Sequence, residues 1–176
     1  AQELFRVIEQ TLGVVQKPSA VRSVQHDNPL ERLVKQAEQR IPQAIVKSYL
    51  AISVPRFDSA TVMARFAHDL EIAIEVISVF LEECPELLAE TEAAVRGGDK
   101  EKMRLSAHRM KGSLSNSGAF YAAELAHELE TKSRLGDLDG IERLFSVLKQ
   151  EIYFLNLVLK GVVELSGSAS HLDNVQ

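Results

Sequence analysis

The sequence predicts an all-α protein: an antiparallel up-down four-helix bundle carrying an extra helical extension at its N-terminal side. Apolar residues recur at three- and four-residue intervals from about residue 29 to residue 165, which is the helical period. Helix start and stop signals punctuate that pattern, and four consecutive segments of ten to twenty-five residues are joined by short loops. The composition agrees, with no Trp, three Tyr, nine Gly and five Pro among 176 residues, leaving Leu, Ala, Glu, Lys and Arg to dominate. At 45 % hydrophobic content such a chain can bury one sizeable core.

Residues 3–12, ELFRVIEQTL, form a short amphipathic segment with Leu4, Val7, Ile8 and Leu12 on one side, closed by Gly13. Ten residues are too few for a stable isolated helix in water, so this piece docks on something or belongs to a neighbouring domain. Residues 14–28 have no period, and their Pro, Ser and Gln read as a linker. Asp27-Asn28-Pro29 is a helix start, with Asn28 or Asp27 as N-cap and Pro29 at the first helical position. The extension, 29–54, follows with Leu30, Leu33, Ala37, Ile41, Ala44, Ile45, Tyr49 and Ile52 in register, kinked or split at Pro42.

The bundle proper is expected over 55–165. Asp58 caps a short helix, SATVMARFA, and Asp69 opens a long one whose main seam is Leu70, Ala73, Ile77, Phe80 and Cys84. Ile72, Ile74, Val76 and Val79 make this helix apolar on several sides. It therefore needs more than one cover, and the 29–52 segment is the expected one. Pro85 permits a bend before the helix stops at Gly97-Gly98. Asp99 starts the central helix, which runs to about Asn116; the next spans Ala119 to Arg134 and closes at Gly136. The last runs from about Asp139 to Leu159 or Leu165, and 166–176 reads as a disordered polar tail.

The net charge of −5 is unevenly spread, since residues 1–54 hold seven Lys/Arg against five Asp/Glu and the remainder thirteen against twenty. An acidic body with few aromatics argues against nucleic-acid binding. No apolar run is long enough to span a membrane, so no direct membrane contact and a cytoplasmic location are expected. The single cysteine, Cys84, excludes an internal disulfide framework. Within the acidic body, KEKMRLSAHRMK (100–111) concentrates five Lys/Arg around a histidine, a field that attracts an anionic group.

On the central helix Met103, Ala107, Met110 and Leu114 form the core seam. His108 lies about 100° round from it and heads a second stripe with Lys111, Gly112 and Ser115, preceded by Arg104. Gly112 costs the helix about 1 kcal/mol relative to Ala. It gives clearance for a partner approaching the imidazole, or else close packing against another helix. On the following helix Ala123, His127, Glu130 and Arg134 flank the seam. If the two helices pack antiparallel, Glu130 can accept a hydrogen bond from Nδ1–H and leave Nε2 as the nucleophile. Lys111 would then help neutralise the oxygens of a transferring phosphoryl group.

The stretch AHRMKGSLSNSGA resembles the signature of histidine phosphotransfer (HPt) domains, in which lysine and glycine follow the histidine three and four positions on and a second glycine ten on. The similarity extends over roughly 57–160, with Met110 standing where Leu is usual. The resemblance implies that His108 carries the phosphoryl group, Lys111 assists, Gly112 gives access and Glu130 contacts the imidazole. Arg104, Arg109, Ser115 and His127, which surround the histidine on these two helices, are the expected partner-docking residues. Response-regulator receiver domains are the implied partners, among them an upstream receiver and kinase of the same protein. No intrinsic cofactor or metal is expected, with Mg²⁺ arriving on the receiver. Residues 1–13 resemble the last helix of a receiver, so the chain is expected to be the C-terminal part of a hybrid sensor kinase or a receiver–HPt protein. It would act as a phosphoryl carrier, not an enzyme.

Three other readings start from particular residues. A sensor-kinase dimerisation domain usually places an acidic residue after its histidine, where this chain has Arg109. Glu124-Leu-Ala-His127 has the spacing of a di-iron bundle motif, but no second such motif accompanies it. The 29–54 stripe could instead mediate self-association, making the chain a helical oligomerisation module.

Overall fold

The computed structural model describes residues 28–42, 45 and 56–173, with the side chains of 169–173 outside that description. The expected helix at 3–12, the linker and most of the second half of the extension also lie outside it. Six helices and no strand occur among the described residues: α1 (Pro29–Arg40), α2 (Ser59–Arg65), α3 (Leu70–Gly97), α4 (Lys100–Asn116), α5 (Phe120–Leu135) and α6 (Ile141–Asp173).

The starts of α1 to α4 are each set by a side chain that satisfies an orphaned N–H. Asn28 accepts from Glu31 N at 3.1 Å, Asp58 from Thr61 N at 2.9 Å, and Asp99 from Lys102 N at 3.1 Å. Asp69 accepts from both Glu71 N and Ile72 N. Asn28 also donates to Ser59 Oγ at 3.2 Å, joining the start of α1 to that of α2. Helix α1 stops at Arg40 with Ile41 extended, since Ile41 precedes Pro42 and is pushed away from helical torsions. Pro85, by contrast, lies inside α3 without ending it. Gly98 and Gly136 close α3 and α5 in the left-handed conformation.

Helices α3 to α6 form a ring in which α4 touches α3 and α5, and α6 touches the same two from the opposite side. Connections of a few residues force sequential neighbours to run antiparallel. The α4 seam is buried as the spacing requires, with Met103, Ala107, Met110 and Leu114 all at 2 % exposure or less. Facing it are Ile77, Phe80 and Leu87 of α3, Ala122, Ala126 and Leu129 of α5, and Leu148, Ile152 and Leu155 of α6.

Two expectations are corrected. Over its described residues the extension packs chiefly on α6, with α2 beside it, and not chiefly on α3. Ile72 and Val79 stay exposed. The contact with α6 is made possible by Gly161, where a Cβ would come within 2.9 Å of Ala37 Cβ. Leu30, Val34 and Ala37 are buried there together with Val158 and Val162. Second, α6 continues to Asp173, so 166–173 is helical and not a disordered tail. No proline interrupts this polar stretch, and its serines bond back to the preceding turn: Ser166 Oγ to Val163 O and Ser168 Oγ to Glu164 O, at 2.8 and 2.9 Å.

The link before α2 is tied to α6 by Arg56, whose Nε meets Glu151 Oε2 at 2.7 Å while its guanidinium lies 5.1 Å from the Phe154 ring centroid. Both charged side chains are nearly buried, so each depends on the other for compensation. Cys84 is buried and accepts from Asn156 Nδ2 at 3.6 Å; burial raises its thiol pKa, so it packs as a small hydrophobe. No helix among the described residues is long and apolar enough to cross a membrane.

Candidate functional site

His108 projects from the outer face of α4, one residue round from the buried Ala107. Its side chain is 61 % exposed, anchored at one nitrogen and open at the other. Nδ1 lies 2.8 Å from Glu130 Oε1, on the facing side of α5. The second carboxylate oxygen, Oε2, accepts from Lys111 Nζ at 2.7 Å. Glu130 therefore ties together two residues of α4 that stand one turn apart.

The ionisation of Glu130 decides the histidine tautomer. Burial is the largest single influence and raises its pKa. The hydrogen bonds from Lys111 and His108, the Lys111 charge and the contact with His127 together outweigh it, lowering the pKa from 4.5 to about 2. Near neutrality Glu130 is thus a carboxylate and can only accept, so Nδ1 must carry the ring proton. In the neutral imidazole that leaves the Nε2 lone pair unprotonated. Among the described residues no hydrogen bond engages Nε2.

Gly112 lies one turn beyond His108 on the same face, and a Cβ built there meets nothing within 4 Å. Close helix packing does not explain this glycine; the space beside it is open. Gly118, ten residues after the histidine, has a different role. Its φ is +82°, and a Cβ would land on the Val62 side chain. Its carbonyl accepts from Asp58 N at 3.0 Å, which seats the start of α2 against the α4–α5 turn.

The flanking residues divide into those the structure gathers at the histidine and those it holds aside. His127 Nδ1 is 3.5 Å from Glu130 Oε2, long for a hydrogen bond but close enough for charge interaction. Arg104 is held by Glu101 at 2.6 Å, and Arg109 by Glu90 of α3 at 2.6 Å. Positive charge around His108 is therefore largely engaged by carboxylates. Ser115 is half-buried, and its carbonyl accepts from Arg65 at 3.1 Å. Arg65 also reaches Asn116 O and so satisfies the orphaned carbonyls at the end of α4. The Arg65 contact joins helices far apart in sequence and the Arg109–Glu90 pair joins consecutive ones, and no local pattern signals either. Glu124 and His127 both face solvent, whereas a di-iron bundle site needs its ligands turned into the core. Among the described residues no group of three metal-ligating side chains converges.

Comparison with known proteins identifies the site's surroundings. Residues 75–156 match the family model described as Hpt domain. A search of curated proteins found no match. The chain is similar to a solved structure, the histidine-containing phosphotransfer protein B (HptB) from Pseudomonas aeruginosa PAO1. Their sequences are 28 % identical, with a TM-score of 0.58. The alignment covers 64 % of this chain and 97 % of that one.

Proposed function

We propose, from the match of residues 75–156 to the Hpt domain family, that the chain serves histidine phosphotransfer in a phosphorelay and that His108 carries the phosphoryl group. The observation that carries this reading is the 2.8 Å contact between Glu130 and Nδ1, which leaves Nε2 free, outward and beside the open face of Gly112.

The reaction is a phosphoryl transfer from a receiver aspartyl-phosphate. The Nε2 lone pair attacks phosphorus in line, the P–O bond to the aspartate breaks, and the aspartate leaves as a carboxylate. Nε2 needs to lose no proton, because Glu130 already keeps it on Nδ1. Positive charge developing on the ring is met by the Glu130 carboxylate, placed before the reaction starts. Lys111 supplies a cation one turn away for the phosphoryl oxygens, its position fixed by the same carboxylate. Reversal of these steps delivers the group to another receiver aspartate. Mg²⁺, if held by the receiver, would supply charge neutralisation on the donor side. The domain is a carrier, since each half-reaction leaves it altered until the next receiver restores it.

Labelling tests the assignment. The chain incubated with a phosphorylated receiver should acquire an acid-labile label, and His108→Gln should acquire none. Label retained on His108→Gln would place the acceptor elsewhere. The oligomerisation reading started from the apolar stripe of α1, which has intramolecular cover on α6 over the described residues.

A further inference from the structure

Beside the histidine, between α3 and α4, runs an open groove of about 680 Å³. Its floor includes Val79 and the edge of Phe80, and its α4 wall includes Arg109 and Gly112. Along its α3 wall stand Glu75, Glu83 and Glu86, which share one helix face by their spacing. All three are exposed, and none makes an ion pair among the described residues. The acids nearest the histidine differ from these three: Glu90, Glu101 and Glu130 are each bound to a cation. Arg109, the one cation in the groove wall, is already taken by Glu90 and does not neutralise the three. The groove is thus apolar at its base and negative along one rim, and it opens on Gly112, one turn from His108.

We propose that this groove is a specificity-determining docking site for a receiver-domain element that presents an apolar side chain flanked by Lys or Arg. The inference rests on His108 being the phosphoacceptor, because the groove matters only to a partner that reaches that residue. Charge complementarity selects the occupant. A receiver's phosphorylation pocket is itself acidic, so the part of its surface meeting Glu75, Glu83 and Glu86 must carry positive charge or be repelled. An apolar side chain on Val79 and Phe80 gains from leaving water, and the absent Cβ at Gly112 lets the backbone behind it approach. Receivers lacking the basic flank are discriminated against at encounter, before any chemistry.

The test uses the whole chain and one purified receiver domain that phosphorylates it, with KM and the rate at saturating receiver measured at low and high salt. The triple variant Glu75→Gln/Glu83→Gln/Glu86→Gln should raise KM about tenfold at low salt. It should leave the saturating rate unchanged and flatten the salt dependence. A control triple on other exposed, unpaired glutamates, Glu124→Gln/Glu142→Gln/Glu164→Gln, should move KM little. Unchanged KM in the groove variant, or an equal rise in the control, overturns the docking inference. His108→Gln separates the two levels: label on that variant refutes the acceptor assignment, whereas its loss with an unmoved groove KM refutes the groove alone.

Discussion

Removing the Glu130 side chain should slow phosphoryl transfer while leaving the bundle folded. Glu130→Ala deletes two contacts together, 2.8 Å to His108 Nδ1 and 2.7 Å to Lys111 Nζ. A hydrogen bond to a charged group contributes about 1.5 to 3 kcal/mol. The 61 % exposure of His108 argues for the lower end, because water replaces part of what is lost. At about 1.4 kcal/mol per factor of ten, the expected loss is about tenfold in the transfer rate. It arises because the ring is free to turn and its proton to move to Nε2. Stability should fall only by about 1 kcal/mol, as for a partly exposed ion pair. Glu130→Gln sharpens the test. The amide oxygen can still accept from Nδ1–H, but its NH₂ then faces the Lys111 ammonium, donor against donor. Gln should therefore slow transfer less than Ala does. Rapid-quench measurement with a labelled receiver, alongside thermal unfolding of each variant, gives both quantities. A wild-type rate for Glu130→Ala, or equal losses for Ala and Gln, would refute the claim that Nδ1 needs this acceptor.

The remaining predictions concern access, acid and the extension. Gly112→Ala should stabilise the chain by up to about 1 kcal/mol, because its helix gains and its Cβ meets nothing. The same change should slow transfer by crowding the receiver; faster or equal transfer in a kinetic comparison would count against the clearance role. Glu130, with its pKa lowered from 4.5 to about 2, contributes stability that is full above 4.5 and lost as pH falls through that interval. Acid unfolding of Glu130→Gln should lack this part of the wild-type curve, and superimposable curves would contradict it. Gly161→Val forces α1 away from α6, since even a Cβ comes within 2.9 Å of Ala37. It should cost about 1–3 kcal/mol in denaturant unfolding with transfer unaffected; an unchanged midpoint would show that the close approach is not needed.

Helix boundaries were legible because they are written locally. Asn28, Asp58, Asp69 and Asp99 are caps whose side chains reach N–H groups two or three residues on, and Gly98 and Gly136 take torsions that other residues resist. The α4 seam was equally legible, since a four-three-four spacing allows one buried face. So was the meeting of His108 with Glu130, given antiparallel neighbours. Partner choice was not. The apolar stripe of α1 tells which face needs cover but not which helix supplies it, and the signal lay in two small residues, Ala37 and Gly161, far apart in sequence. The tail misled because polar composition suggested disorder, while its serines bond to their own helix. Within the site, the spacing placed Lys111 beside the histidine but could not show that Glu130 binds both. Nor could it show that Arg104 and Arg109 are held by Glu101 and Glu90.

The central claim is that Nε2 of His108 bears the phosphoryl group because Glu130 keeps the proton on Nδ1. The most direct measurement is phosphorus and nitrogen NMR of the phosphorylated chain, which distinguishes the two ring nitrogens and, with His108→Gln as reference, the residue. The account predicts a single phosphoramidate at Nε2 of His108. Phosphorylation at Nδ1, or at any other residue, would contradict it.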